Sequence, residues 1–522
     1  MRSWRRKLFG PPRRWLAGAA LGASLAAGVA MPQPRPNIVV VMVDDLDEKL
    51  ASTMLEAGLV PNLKTHFVDR GVSFRQMFCT TPVCTPSRAT LLTGRYAHNH
   101  GAARNESPFG GVTAFSDAST LATWLRATGY QTGHVGKYLN GYGRSDVNRD
   151  GVFNVADTQY VPPGWHQWFG LLDPYDTRMY QFVANENGTV SAWGTSAADY
   201  QTDVISSKAA TFLDRFKTAD DAAPFFLSVA PTAPHQEVYP GLPVSSYSDA
   251  WNWTIRPAPR HLGSVLLPLP QPPSFNEADV SDKPAWMQLR PLLQSGDIDN
   301  LTRQYRDRAA SLRAVDDLLG ALVLKLTQLG ELSRTVLIFT SDNGFLHGEH
   351  RLPQKLVAHE ESIRLPLIVA APWLNKAEAN QIILNTDLAP TIVEMARATA
   401  AAPSMDGTSF APLLIDPGRA QWRKRFLIER WPGAASLFEL PGYFAIRTGP
   451  AAPEAASSTL VLYSDSSREH YDLTTDPAQL SSLHANQTPL RVQQRSTLTW
   501  WLNRLIGCAG AACRDAEFHP PN

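Results

Sequence analysis

The stretch Cys84-Thr85-Pro86-Ser87-Arg88-Ala89-Thr90-Leu91-Leu92-Thr93-Gly94-Arg95 carries a nucleophile, a guanidinium and the means to place them together. Pro86 has a fixed φ and no N–H to lose, which suits the first turn of a helix. Thr85 offers a cap and Gly94 a stop. Cys84 would then lie at a helix N-terminus, where the macrodipole favours negative charge, with Arg88 one turn on and facing the same end. A group that must carry an oxyanion belongs there. The plainer readings are a structural thiol, or a Cys79–Cys84 disulfide in an exported protein.

Other reactive side chains stand at the ends of apolar runs. Asp44-Asp45 follow Asn37-Ile-Val-Val-Val-Met-Val43, and Ser341-Asp342-Asn343-Gly344 follow Thr335-Val-Leu-Ile-Phe-Thr340. Open α/β sheets place their ligands at such strand ends. Two adjacent aspartates repel each other, so a cation is the usual reason to hold both; otherwise they begin a solvated loop. Lys137 follows a glycine turn at the end of a short strand and is placed to meet an anion. His235 sits in Ala230-Pro-Thr-Ala-Pro-His, where prolines stiffen the backbone. His98 and His100 could equally be core residues or substrate contacts.

The elements that must position these groups read as buried strands alternating with helices. The runs 37–43, 224–229 and 335–340 have the apolar pattern of a sheet buried on both faces, and 72–76 reads as a short strand. Helices are expected over 61–70, 121–128 (capped by Ser119), 197–216 and 301–329. Residues 236–300 are rich in proline and tryptophan and show little periodicity, so we read them as a lip over the site. Composition changes near residue 415. Short strands at 426–430, 443–448 and 460–464, then a helix at 490–506, suggest a small α+β unit.

The twelve-residue stretch resembles the signature of the formylglycine-dependent (type I) sulfatases, with every fixed position present. The resemblance covers about residues 36–515 and implies an alkaline-phosphatase-like α/β fold: a mixed sheet sandwiched by helices, with a smaller C-terminal α+β domain. The domains expected are an export signal over 1–30, a catalytic domain over 31–415 and a C-terminal domain over 416–522. In that family the cysteine is oxidised by a formylglycine-generating enzyme, and one hydroxyl of the hydrated aldehyde attacks sulfur. The second hydroxyl then expels sulfate. Carried onto this chain, the resemblance implies a cation held by Asp44, Asp45, Asp342, Asn343 and the oxygen made at Cys84. Hard oxygen donors suit Ca²⁺, or Mg²⁺. It further implies catalytic roles for Cys84, Arg88, Lys137, His235 and Lys355, with His235 nearest the leaving oxygen.

Gly129-Tyr-Gln-Thr132 and Gly136-Lys137 match family landmarks, but many members continue Lys-Trp-His, placing a histidine two residues after the lysine. This chain has Lys137-Tyr-Leu-Asn140 instead. That form, with Tyr160-Val-Pro-Pro-Gly-Trp165, resembles the N-acetylglucosamine-6-sulfatase branch. It leaves the missing histidine's task unassigned, with Asn140 as a candidate. The expected substrate is therefore a sulfated sugar or aryl alcohol.

Composition bounds these readings. In 522 residues Lys+Arg and Asp+Glu each number 48, so no basic field points to nucleic acid. Arg5-Arg6-Lys7 and Arg13-Arg14 precede a weakly apolar Ala/Gly run, too short for a good membrane span. This resembles a twin-arginine export signal, with a general secretory signal as the other reading. Its removal would leave a secreted or periplasmic chain with no membrane span. Cys508 and Cys513 read as a disulfide clipping the C-terminus. The rival functions are a phosphonate monoester or phosphodiester hydrolase of the same superfamily, and a non-catalytic sugar-binding relative.

Overall fold

The computed structural model describes residues 35–147, 152–238, 254–432 and 440–519. The export segment and part of the expected lip, 239–253, lie outside the described residues. Twelve strands precede the C-terminal region: β1 (Asn37–Val43), β2 (Gly71–Phe78), β3 (Gln131–Gly136), β4 (Gln167–Leu171), β5 (Val183–Glu186), β6 (Thr189–Ala192), β7 (Phe225–Ala230), β8 (Thr335–Ser341), the two-residue β9 (Leu346–His347) and β10 (Pro353–Gln354), β11 (Arg364–Ala370) and β12 (Ala377–Leu384). All but β9 and β10 form one sheet in the order β12-β2-β11-β8-β1-β7-β3-β4-β5-β6. The centre, β8 to β4, is parallel. β11 runs antiparallel between β8 and β2, and β5 and β6 extend the far edge as a hairpin.

β1 shows why its sequence is apolar throughout. Ile38, Val40 and Met42 face one core with Leu91, Leu121 and Ile392, whereas Val39, Val41 and Val43 face the other with Phe212, Leu318 and Leu322. Period-2 alternation then sends every second residue to a helix layer, and neither face can be polar. The mixed sheet sandwiched by helices is therefore present. The long helix begins earlier than its periodicity suggested, spanning Ser295–Gln328. The helix expected over 61–70 stops at His66 and continues as a 3₁₀ turn, Val68–Arg70. Thr120, not Ser119, caps Leu121–Ala127; Ser119 instead accepts a hydrogen bond from the Trp124 indole at 2.9 Å.

Four antiparallel strands, β13 (Arg425–Arg430), β14 (Tyr443–Thr448), β15 (Ser458–Tyr463) and β16 (Arg468–Asp472), form a separate C-terminal sheet backed by the helix Pro489–Ile506. This sheet shares its core with the main body: the Phe78 and Phe426 rings pack at a tilt with centroids 5.0 Å apart. Cys508 and Cys513 are bridged, while Cys79 and Cys84 are free and buried. Among the described residues no helix is long and apolar enough to cross a membrane.

Candidate active site

Register delivers the reactive side chains to one place. Val43 pairs with Ser341, so the chain leaves β1 and β8 side by side at Asp44-Asp45 and Asp342-Asn343. Gly136 pairs with Ala230, so Lys137 emerges from β3 beside the β7 loop that carries His235. Strand order thus sets spatial order: Asp342, Asp44, His235, Lys137. Cys84 arrives from the opposite side, after β2, and Lys355 from the loop before β11.

Cys84 is the first residue of the helix Cys84–Thr93, and all ten residues of that helix are buried. Thr85 does not cap it. Its hydroxyl donates to Asn140 Oδ1 at 2.9 Å, and its N–H donates to Asn105 Oδ1 at 2.9 Å. Ser87 donates to the Asp342 carbonyl, and Arg88 Nε donates to Asp342 Oδ2 at 2.8 Å. The helix is thereby fastened to the end of β8. Asn140 braces the cysteine loop through Thr85, accepting from its hydroxyl and donating its own N–H to it.

Around Cys84 Sγ stand Lys355 Nζ at 3.0 Å, Asp44 Oδ1 at 3.6 Å and Lys137 Nζ at 3.7 Å. Lys137 pairs with Asp44 Oδ2 at 2.5 Å, and Lys355 pairs with Asp45 Oδ1. Burial pushes Asp44 up, but Lys137, His235 and Arg88 outweigh it and hold the carboxyl well below its ordinary range. The same neighbours do not make Cys84 a thiolate. Burial and then Asp44 push the thiol up to about 12 against the pull of Lys137 and Lys355. The helix N-terminus therefore does not decide its charge. An unmodified Cys84 is a protonated, poor nucleophile.

The expected metal ligands come together with one rearrangement. Asp44, Asp45, Cys84 and His235 each bring a ligand atom into a group whose members all lie within 4.8 Å of one another. His235, expected on the substrate side, joins this group, with Nε2 at 3.5 Å from Asp45 Oδ2. Asp342 is not among the four. Its Oδ1 accepts from the N–H of Asp45 (3.1 Å) and of Asn343 (2.8 Å), and Oδ2 is taken by Arg88. Buried Asp45 Oδ2 has no hydrogen-bond partner. Lys355 Nζ lies among Asp45 Oδ1, Asn343 Oδ1 (3.3 Å) and Cys84 Sγ, so oxygen donors already converge on one positive centre. This donor set fits a hard divalent cation.

Arg308 is a contributor that sequence reasoning missed. Wholly buried, it donates to the carbonyls of Asp45 and Pro234 and stacks 3.8 Å over Phe345. It holds Asp45, whose φ is +65°, and the His235 loop at once. Nothing local marks it, since Arg303, Arg306 and Arg313 stand on the same stretch of helix.

The chain is similar to known proteins. The family model described as Sulfatase matches residues 36–398, and one described as N-sulphoglucosamine sulphohydrolase, C-terminal, matches 348–504. An arylsulfatase of Volvox carteri is 33% identical over 94% of this chain and 77% of its own. The N-acetylglucosamine-6-sulfatase of Homo sapiens is 29% identical over 96% and 90%. Among solved structures, one bound to its substrate D-glucosamine-2-N,6-O-disulfate superposes with a TM-score of 0.69 at 23% identity, covering 92% of this chain and 99% of that one. The chain belongs to the sulfatase family and is a sulfuric ester hydrolase.

Proposed function

We propose that this protein hydrolyses sulfate monoesters of amino sugars, glucosamine 6-sulfates first among them, using a formylglycine made from Cys84. The observation that carries the reading is the buried cup itself: one cysteine between two ammonium groups, 3.0 and 3.7 Å from its sulfur. Two cations facing a small enclosed site suit a sulfate group. The names of the relatives, and the disulfated glucosamine bound by the structural neighbour, favour the sugar.

Hydrated formylglycine supplies an oxygen nucleophile with a second hydroxyl able to expel sulfate. In this reading Lys137 and Lys355 balance the sulfate oxygens, and Arg88 fixes Asp342 and the signature helix. Asp44, Asp45 and Asn343, oriented by Asp342, would hold Ca²⁺, which supplies Lewis-acid stabilisation of the nucleophile when bound. His235 closes the cup on the β7 side. Residues 31–415 are the catalytic domain and 416–522 the C-terminal domain, and the chain is exported after removal of about residues 1–30. The maturing enzyme is the expected protein partner, a sulfated sugar the expected ligand.

Turnover of a panel of sulfated sugars, combined with peptide mass spectrometry of the same preparation, tests this. Glucosamine 6-sulfate should be hydrolysed, and residue 84 should carry aldehyde in place of thiol. An active preparation containing only the Cys84 thiol overturns the mechanism. The phosphonate monoester hydrolase of Agrobacterium radiobacter has the same fold, with a TM-score of 0.67. Preference for an aryl phosphonate over the matching aryl sulfate would therefore move the substrate class to phosphonates.

A further inference from the structure

A wholly buried guanidinium without a carboxylate partner is unfavourable, and an apolar side chain of similar volume would fill its place without that penalty. Arg308 is such a group. It stands on the long helix Ser295–Gln328 beside Tyr305, Ala309 and Leu312, all buried in the apolar core on that face of the sheet. It forms no ion pair with a described residue, and its Nε has no hydrogen-bond partner. What it does touch is one ring and two carbonyls. The guanidinium rests 3.8 Å over Phe345, Nη1 donates to the Pro234 carbonyl at 3.2 Å, and Nη2 donates to the Asp45 carbonyl.

Those two carbonyls belong to the loops that bring the ligand atoms together. Asp44 and Asp45 on the β1 loop and His235 on the β7 loop supply three of the four groups that converge within 4.8 Å. The strands β1 and β7 are neighbours, but their pairing ends at Val41 and Val229. Beyond that point the sheet no longer fixes the gap between the loops, and Arg308 spans it. On the β1 side, Asp45 turns its carboxylate to the cup while the chain turns into the helix Glu48–Glu56. It does so at φ +65°, a conformation that residues other than glycine rarely hold unaided. Its N–H donates to Asp342 Oδ1 at 3.1 Å and its carbonyl accepts from Arg308, so Asp45 is held at both ends. On the β7 side, the N–H of His235 donates to the Thr232 carbonyl at 2.9 Å, and Arg308 takes the Pro234 carbonyl just before it.

We propose that Arg308 is a positioning residue for the cation: it fixes Asp45 and the His235 loop relative to each other, and tight cation binding depends on that bridge. This rests on the metal reading above. A positive charge beside the site disfavours a cation, so what Arg308 contributes is geometry. Arg308→Lys isolates that contribution, because it keeps the charge and loses the planar fork.

Calcium binding to the full exported protein tests this, with calcium alone as the probe. Thermal unfolding is followed in excess chelator and at a series of calcium concentrations. A bound cation stabilises according to its concentration over Kd, so the series yields Kd. Arg308→Lys should raise Kd about 10–100-fold, the usual effect of losing a group that orients a ligand. Its activity on a sulfate ester should fall at limiting calcium and recover as calcium is raised. A merely structural arginine would lower the melting temperature equally with and without calcium and leave Kd at the wild-type value; that result overturns the proposal. Should Arg308→Lys fail to fold, Phe345→Leu removes the ring beneath the guanidinium and must raise Kd by roughly a few-fold. An unchanged Kd in that variant overturns the proposal equally. A wild type that gains no stability from calcium or magnesium would refute the metal reading itself, and the proposal with it.

Discussion

At the scale of single residues, the groups easiest to read were those whose neighbours in sequence are also their partners in chemistry. Cys84 and Arg88 share one helix turn, and Asp44-Asp45 and Asp342-Asn343 end apolar runs. The structure adds that Asp342 is a hub, joining Arg88, the Asp45 N–H and the Asn343 N–H. Arg88 is 4% exposed, so Asp342→Ala leaves a buried guanidinium without its closest partner. Breaking such a pair costs about 3–5 kcal/mol. Chemical denaturation should show a loss of that size, with Asp342→Asn losing less because its amide oxygen still accepts. A stability unchanged in Asp342→Ala would refute the hub. Arg308 was not legible, because what distinguishes it is long-range. An arginine within a helix takes its role here from the carbonyls of Pro234 and Asp45, 74 and 263 positions away.

Among elements, strands buried on both faces announced themselves, whereas half-exposed ones did not. β1, β7 and β8 have the continuous apolar runs that only a doubly covered sheet requires. β12 alternates exposed and buried residues at its start, and β6 is exposed throughout, so neither shows such a run. The β5–β6 hairpin did carry a signal: Asn187-Gly188 takes φ of +50° and +90°, the conformation of a type I′ turn. The signature helix illustrates the opposite error, since Thr85 has capping chemistry but spends it on Asn140. Its stop behaves as expected. Gly94 has φ +64°, and its carbonyl accepts from the N–H of Asp406 and Gly407. A Cβ there would meet Met405 Sδ at 2.8 Å. Gly94→Ala should therefore lose about 1–2 kcal/mol from the left-handed backbone alone, and more if Met405 cannot move. A melting temperature equal to wild type would show that this helix end does not need glycine.

The whole molecule joins its two sheets through buried acids, which makes its stability depend on pH. Glu469 on β16 is fully buried, has one oxygen without a partner, and lies 3.9 Å from His359 Nε2. Burial pushes it up to about 8 despite Lys283. Glu349 in the main body is likewise raised to about 8, by burial and then by Glu361. Both folded values exceed the roughly 4.3 of an unfolded glutamate. Their contribution is therefore fully present below that value and is lost as pH rises through about 8. Across this window each group lowers stability by at most about 1.4 kcal/mol per pH unit. His350 and His359 act in the other direction. Burial holds both rings neutral in the folded state, so acidification below about 6.5 favours the unfolded chain, whose histidines can charge. The two pairs therefore oppose each other between about pH 4.3 and 6.5, and stability should fall from about pH 6.5 to about 8, where the acids act alone. Glu469→Gln keeps the shape and cannot ionise. Relative to wild type, its melting temperature should be close at about pH 4 and higher at about pH 8, because between these values only wild type must take up a proton to fold. If the difference between the two proteins stays constant across that range, Glu469 does not govern the alkaline loss.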